Sequence, residues 1–179
     1  MDESIRDVIE YVEAARAALL EVAGSLSPEQ LAARPEPDAW SPAEILEHLA
    51  VVERRVAAGV GARVGAARVE GLSGAPSVRT LEERMYRFRS AVGRRLTAPP
   101  EIAPSGGLAR EELVERLGRS RAALFSALAA ADGLPLDELT FPHPVFGDLS
   151  VPDWVLFVGA HERRHLAQIE RALARGASA

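Results

Sequence analysis

The chain has 179 residues, a formal net charge of −5 and no cysteine. A length of this order suits one domain over residues 1–179, which buries roughly 70% of its unfolded surface and needs no covalent staple. The lack of thiols excludes a disulfide framework and a thiolate metal site, and without a dense basic patch interleaved with aromatics nucleic acid is not an expected partner.

The opening residues, MDESIRDVIEYVEAARAALLEV, carry scattered acids and no uninterrupted apolar run, so neither a signal peptide nor a membrane span is expected. A cytoplasmic location is the corresponding expectation. From about Ser4 to Gly24, Ile5, Ile9, Val12, Ala15, Leu19 and Val22 recur at helical spacing. Ser27-Pro28-Glu29-Gln30 then suggests a short helical turn, which Pro35 and Pro37 end.

Ser41-Pro42-Ala43-Glu44 is a sharp helix start, with a Ser cap, Pro at the first helical position and Glu three residues after the cap. Ile45, Leu49, Val52 and Val56 continue it as an apolar stripe, which fades into an Ala/Val/Gly stretch ending near Gly71–Gly74. The face at 56–66 suits packing against a second copy, so a homodimer is expected. A shorter helix is expected from Thr80 to about Leu96, with Leu81, Met85, Phe88 and Val92 on one side. Pro99, Pro100, Pro104, Gly106 and Gly107 mark a loop, and a strong helix follows from about Ala109 to Ala131 on Leu113, Leu117, Leu124 and Leu128. Leu136 to Leu149 reads as an irregular Pro-rich loop with aromatic anchors rather than a strand pair. Ser150-Val151-Pro152-Asp153 opens the last helix, to about Ala174. Four long amphipathic helices make the fold all-α, a four-helix bundle.

Two of the four histidines, His161 and His165, stand four apart in the last helix, the spacing by which one helix offers two imidazoles to one metal ion. They continue a stripe through Trp154 and Phe157, and on to Gln168 and Ala172, so they face inward. Unpaired burial of two imidazoles is costly, which calls for polar partners or a metal. His48 lies among Ile45, Leu49 and Val52 on the second helix, and bundle cores build metal sites from facing helices. Its alternative is a core histidine bonded to a carbonyl or to Glu44. His143, between two prolines, is a rim histidine or else a proton shuttle or substrate contact at the open face. Gln168 is a candidate second partner of a ligand ring. Glu162 and Arg163 turn away from the stripe, and Arg164 borders it.

Trp40-Ser41-Pro42-Ala43-Glu44-Ile45-Leu46-Glu47-His48-Leu49, followed by His161-Glu162-Arg163-Arg164-His165-Leu166-Ala167-Gln168-Ile169, resembles the DinB/YfiT-like superfamily over about Arg6 to Ala174. Phe141–Gly147 and Trp154 share in the likeness. The resemblance implies a four-helix bundle with cross-over connections, His48, His161 and His165 as metal ligands, and relatives that include transferases and isomerases dependent on mycothiol, bacillithiol or glutathione. Residues 57–108 fit the family pattern least, so substrate-specific residues are expected there.

Three neutral imidazoles leave a divalent ion open to a further ligand, the catalytic rather than the structural pattern. Such a site can make a thiolate or a hydroxide at neutral pH, and the resemblance implies the first: metal-dependent transfer of a low-molecular-weight thiol, such as mycothiol or bacillithiol, to a small electrophile. The alternatives are a metal-dependent hydrolase and a non-catalytic, dimer-forming metal binder. Zinc is the default ion, with nickel, iron and manganese compatible.

Overall fold

The computed structural model describes residues 3–74, 79–88 and 98–176. Four long helices carry the architecture: α1 (Glu3–Ser25), α3 (Pro42–Val69), α5 (Arg110–Ala129) and α6 (Val151–Gly176). Between them lie α2 (Pro28–Ala32), α4 (Leu81–Tyr86), a 3-10 turn at Pro100–Ile102, and strands β1 (Thr140–His143) and β2 (Gly147–Ser150). Ser27, Ser41 and Thr80 each close a capping box at the starts of α2, α3 and α4, so local chemistry sets those boundaries. No described helix is long and apolar enough to cross a membrane.

The side-chain pairs give the helix directions. Along α3 and α5, Glu47 lies by Arg116, Glu53 by Arg121, and Arg68 by the carbonyls of Ala130 and Asp132, so these two run parallel. Gly159 meets Tyr11 and Val12 while Glu162 meets Arg16, so α1 and α6 are parallel too. A parallel neighbour cannot be reached by a short turn; the long connection from α3 to α5 carries the chain back along the bundle, as the expected cross-over requires. A Cβ at Gly159 would stand 3.0 Å from the Tyr11 ring and 3.1 Å from the Val12 Cα, so the glycine permits the close approach of α1 and α6.

The apolar core has two parts. One gathers Val8, Val12, Val56, Val60, Leu124 and Val155; the other gathers Leu19, Ile45, Leu49, Leu113, Leu117 and Ile169. Between them each long helix inserts one charged side chain: Arg16, Glu53, Arg121 and Glu162, at 7%, 1%, 9% and 1% exposure. Arg16 donates to Glu53 (2.6 Å), to Glu162 and to the Leu117 carbonyl (2.6 Å). Arg121 donates to Glu53, to Glu162 (3.0 Å) and to the Val12 carbonyl (3.1 Å), while Ser120 adds a hydroxyl to Glu53. The charges balance, two against two.

Three expectations change. The segment around His143 is a hairpin, pairing Thr140 with Ser150 and His143 with Gly147. Its two prolines hide the strand signal, and tertiary contacts hold it: Phe141 stacks on Trp154 at 4.6 Å, and Trp154 Nε1 donates to the Phe141 carbonyl. The Ala/Val/Gly stretch is the second half of α3, which runs to Val69, and its Val56, Ala57, Val60 and Val64 are buried within this chain. The face assigned to a second copy is therefore used internally. Near residue 80 the helix α4 is short; Phe88 enters the core, and Val92 lies outside the described residues.

Glu53→Ala should lower the unfolding free energy in urea by about 3–5 kcal/mol, because it leaves two buried guanidinium groups with only the Glu162 carboxylate between them.

Candidate metal centre

Six residues into α3, His48 faces His161 and His165, one turn apart on the antiparallel α6. His161 Nε2 lies 3.4 Å from His48 Nε2 and 3.0 Å from His165 Nε2, and one nitrogen from each of the three rings falls within 4.8 Å of the others. The sequence-predicted trio thus converges from positions 113 residues apart.

The remaining nitrogens explain why the Nε2 atoms point at one another. His48 Nδ1 lies 2.7 Å from the Ile102 carbonyl, which only accepts, so Nδ1 carries the proton and Nε2 a lone pair. His165 Nδ1 likewise donates to Gln168 Oε1 at 3.0 Å. Two lone pairs therefore face His161 Nε2, an arrangement satisfied by one shared proton or by a cation. A tetrahedral ion with bonds of about 2.0–2.1 Å separates its nitrogen donors by about 3.3 Å, close to the two spacings that His161 makes, with the third pair within 4.8 Å. The donor set fits a divalent metal.

Electrostatics keeps the donors neutral. Burial lowers the His48 pKa, against the hydrogen bond to Ile102, and burial pushes His165 down to about 3, helped by the charge of His48. Burial, and then the positive charge of His165, His48 and Arg164, holds His161 well below its ordinary value. His48 and His165 are 3% and 9% exposed, whereas His161 is half-buried, so the centre opens on the His161 side.

That opening has aromatic walls. Phe157 stacks on His161 at 5.2 Å, Trp40 leans on His48 at 4.8 Å, and His143 packs against Phe146, Trp154 and Phe157 at 4.6–4.9 Å. His143 thus sits on the rim, beside the cluster of three rather than in it. Arg164 is exposed and its charge reaches His161 and His165.

Of the two partners that the sequence allows His48, a backbone carbonyl or Glu44, the structure uses the carbonyl. Glu44 closes the capping box and pairs with Arg34, so it does not orient His48. The Ile102 carbonyl does, and the loop that carries it is pinned by Glu47, which accepts from Ser105 Oγ (2.6 Å) and Gly106 N (2.9 Å). Neighbouring residues of α3 therefore hold the same loop, Glu47 by its carboxylate and His48 by its ring. A backbone carbonyl leaves no mark in a sequence. Glu162 did leave one, because it falls in line with Val155, Val158 and Ile169, a second buried stripe of α6.

The model of the DinB superfamily matches residues 11–169. The Bacillus subtilis (strain 168) protein YuaE, described as uncharacterized, is 28% identical over 146 residues, covering 81% of this chain and 84% of YuaE. The crystal structure of TT2238, described as a four-helix bundle protein, aligns with a TM-score of 0.65 at 26% identity, covering 93% of this chain and 98% of TT2238.

In metal-free protein the depressed histidine pKa values make stability depend on pH. In the unfolded chain each ring takes a proton near 6.5, which the folded ring resists, so stability is fully present above about 6.5 and is lost as pH falls below it. With His165 titrating near 3 when folded, that residue alone should remove about 2 kcal/mol at pH 5. Urea titrations of chelator-treated protein at pH 7.5, 6 and 5 should show the unfolding midpoint falling in that order.

Proposed function

This chain belongs to the DinB superfamily, and on that premise we propose that it is a metal-dependent enzyme that transfers a low-molecular-weight thiol to a small electrophile. The observation that carries the reading is the convergence of His48, His161 and His165 Nε2 atoms, with two of their outer nitrogens already bonded, beside an opening walled by aromatic rings. These three residues would hold the ion, with zinc the default. When bound by three neutral imidazoles, a divalent ion keeps a coordination position open and brings the deprotonation of a thiol or water there into the neutral range.

The chain's own residues supply the rest. With no cysteine anywhere in the sequence, the thiol must arrive as a small molecule, for which mycothiol and bacillithiol are the proposed types. The Ile102 carbonyl and Gln168 fix the tautomers of His48 and His165 and keep both Nε2 lone pairs aimed at the same point. Phe157 and Trp40 exclude water from the flanks of the site and offer flat apolar surface to an electrophile.

Elemental analysis of untagged protein, purified without added metal or chelator, is the first test. Near-stoichiometric divalent metal in the wild type, falling to background in His48→Ala, is the expected result. Metal absent from the wild type even after incubation with zinc or nickel overturns the reading. A thiol screen on metal-loaded protein separates the chemistries: turnover should require the thiol, and thiol-independent hydrolysis would assign a hydrolase instead. Glu47→Ala frees the loop that presents the Ile102 carbonyl and should weaken zinc binding about 10- to 100-fold in a chelator competition, with helix content unchanged.

A further inference from the structure

At the tip of the β1–β2 hairpin, His143 Nδ1 accepts hydrogen bonds from the backbone N–H groups of Val145 (3.0 Å) and Phe146 (3.3 Å). A nitrogen that accepts from two amides cannot carry a hydrogen, so the proton of the neutral ring sits on Nε2. Burial pushes the ring's pKa down to about 4, so it stays neutral at physiological pH and Nε2 is a donor only. No group among the described residues accepts a hydrogen bond from it. The ring is gripped by Phe146, Trp154 and Phe157, and Phe157 is also the ring that stacks on His161. A fixed, unspent donor thus stands one aromatic ring away from the open side of the histidine trio.

We infer that His143 is a substrate-binding residue whose Nε2–H donates to an oxygen of the electrophile, which makes the substrate class an apolar, flat molecule bearing a carbonyl or epoxide oxygen. The inference rests on the thiol-transfer reading for the reaction, but the hydrogen bond itself does not. In that reaction the thiol first releases its proton to solvent. The thiolate sulfur then bonds to the electrophilic carbon as the carbon–carbon π bond of an enone, or the carbon–oxygen bond of an epoxide, breaks. The displaced electron pair moves onto oxygen, where the His143 N–H stabilises the growing charge, and water supplies the final proton. His143 gives up no proton, since that would require an imidazolate; it contributes a preorganised dipole aimed where charge appears.

Two near-isosteric substitutions divide the ring's roles. In His143→Asn, Oδ1 replaces Nδ1 and keeps the hairpin amides bonded, while the outer donor is lost. In His143→Gln the amide N–H reaches the Nε2 position and the hairpin bonds are lost. With zinc-loaded protein and bacillithiol or mycothiol, His143→Asn should reduce kcat/KM for an aryl enone by about tenfold or more. The same variant should leave benzyl chloride, which has no oxygen, within twofold, with zinc content and thermal midpoint unchanged. His143→Gln should recover part of the enone activity despite a lower thermal midpoint. Equal losses for both electrophiles, or none for either, would overturn the assignment. A readout independent of turnover keeps it testable if no thiol is transferred: long-range nitrogen NMR of the resting protein should report a protonated Nε2 and a bare Nδ1. The Nε2–H signal should shift when a saturated aryl ketone is titrated in. The opposite tautomer, or a signal that ignores the ketone, rejects the role for His143 whatever the enzyme's reaction proves to be.

Discussion

The bundle depends on a layer of four charges that no helix could bury alone. Arg16, Glu53, Arg121 and Glu162 come one from each long helix, and the hydrogen bonds linking them leave little freedom for any helix to slide or rotate. Apolar packing is tolerant of register; a guanidinium shared between two carboxylates is not. Replacing such a layer with apolar groups of the same volume is often neutral for stability, so what it supplies here is one alignment of four helices.

That alignment builds the histidine cluster. Glu162 follows His161 directly on α6, and Glu53 lies little more than a turn beyond His48 on α3. Fixing the two glutamates against the same pair of arginines sets the height of α3 against α6, and with it the 3.0 and 3.4 Å approaches among the three rings. Loops then finish the site. The stretch from Ile102 to Gly106 orients His48 from one side, and the hairpin holds the aromatic wall on the other.

Much of this was legible in the chain. The four long helices follow from apolar spacing and from the Ser-Pro-x-Glu start at residue 41, and the histidine trio follows from its place on the inward stripes. Interactions with no local signature were not legible. The hairpin was hidden because Pro142 and Pro144 suppress a strand signal that the stack of Phe141 on Trp154 overrides. The partners that make burial of Glu53 and Glu162 tolerable lie as much as 146 residues away, and no local pattern names them. The true partner of His48 is a main-chain oxygen, which every residue possesses.

Parallel pairing of α1 with α6 has a consequence for how such a molecule is made. Of the four long helices, α1 and α6 are the first and last and immediate neighbours, so the face of α1 that packs on α6, and the bond from Arg16 to Glu162, stay open until α6 has been made. Two of the three histidines arrive on that same final helix. Maturation of the centre is therefore a late event in the life of each copy, coincident with completion of the fold.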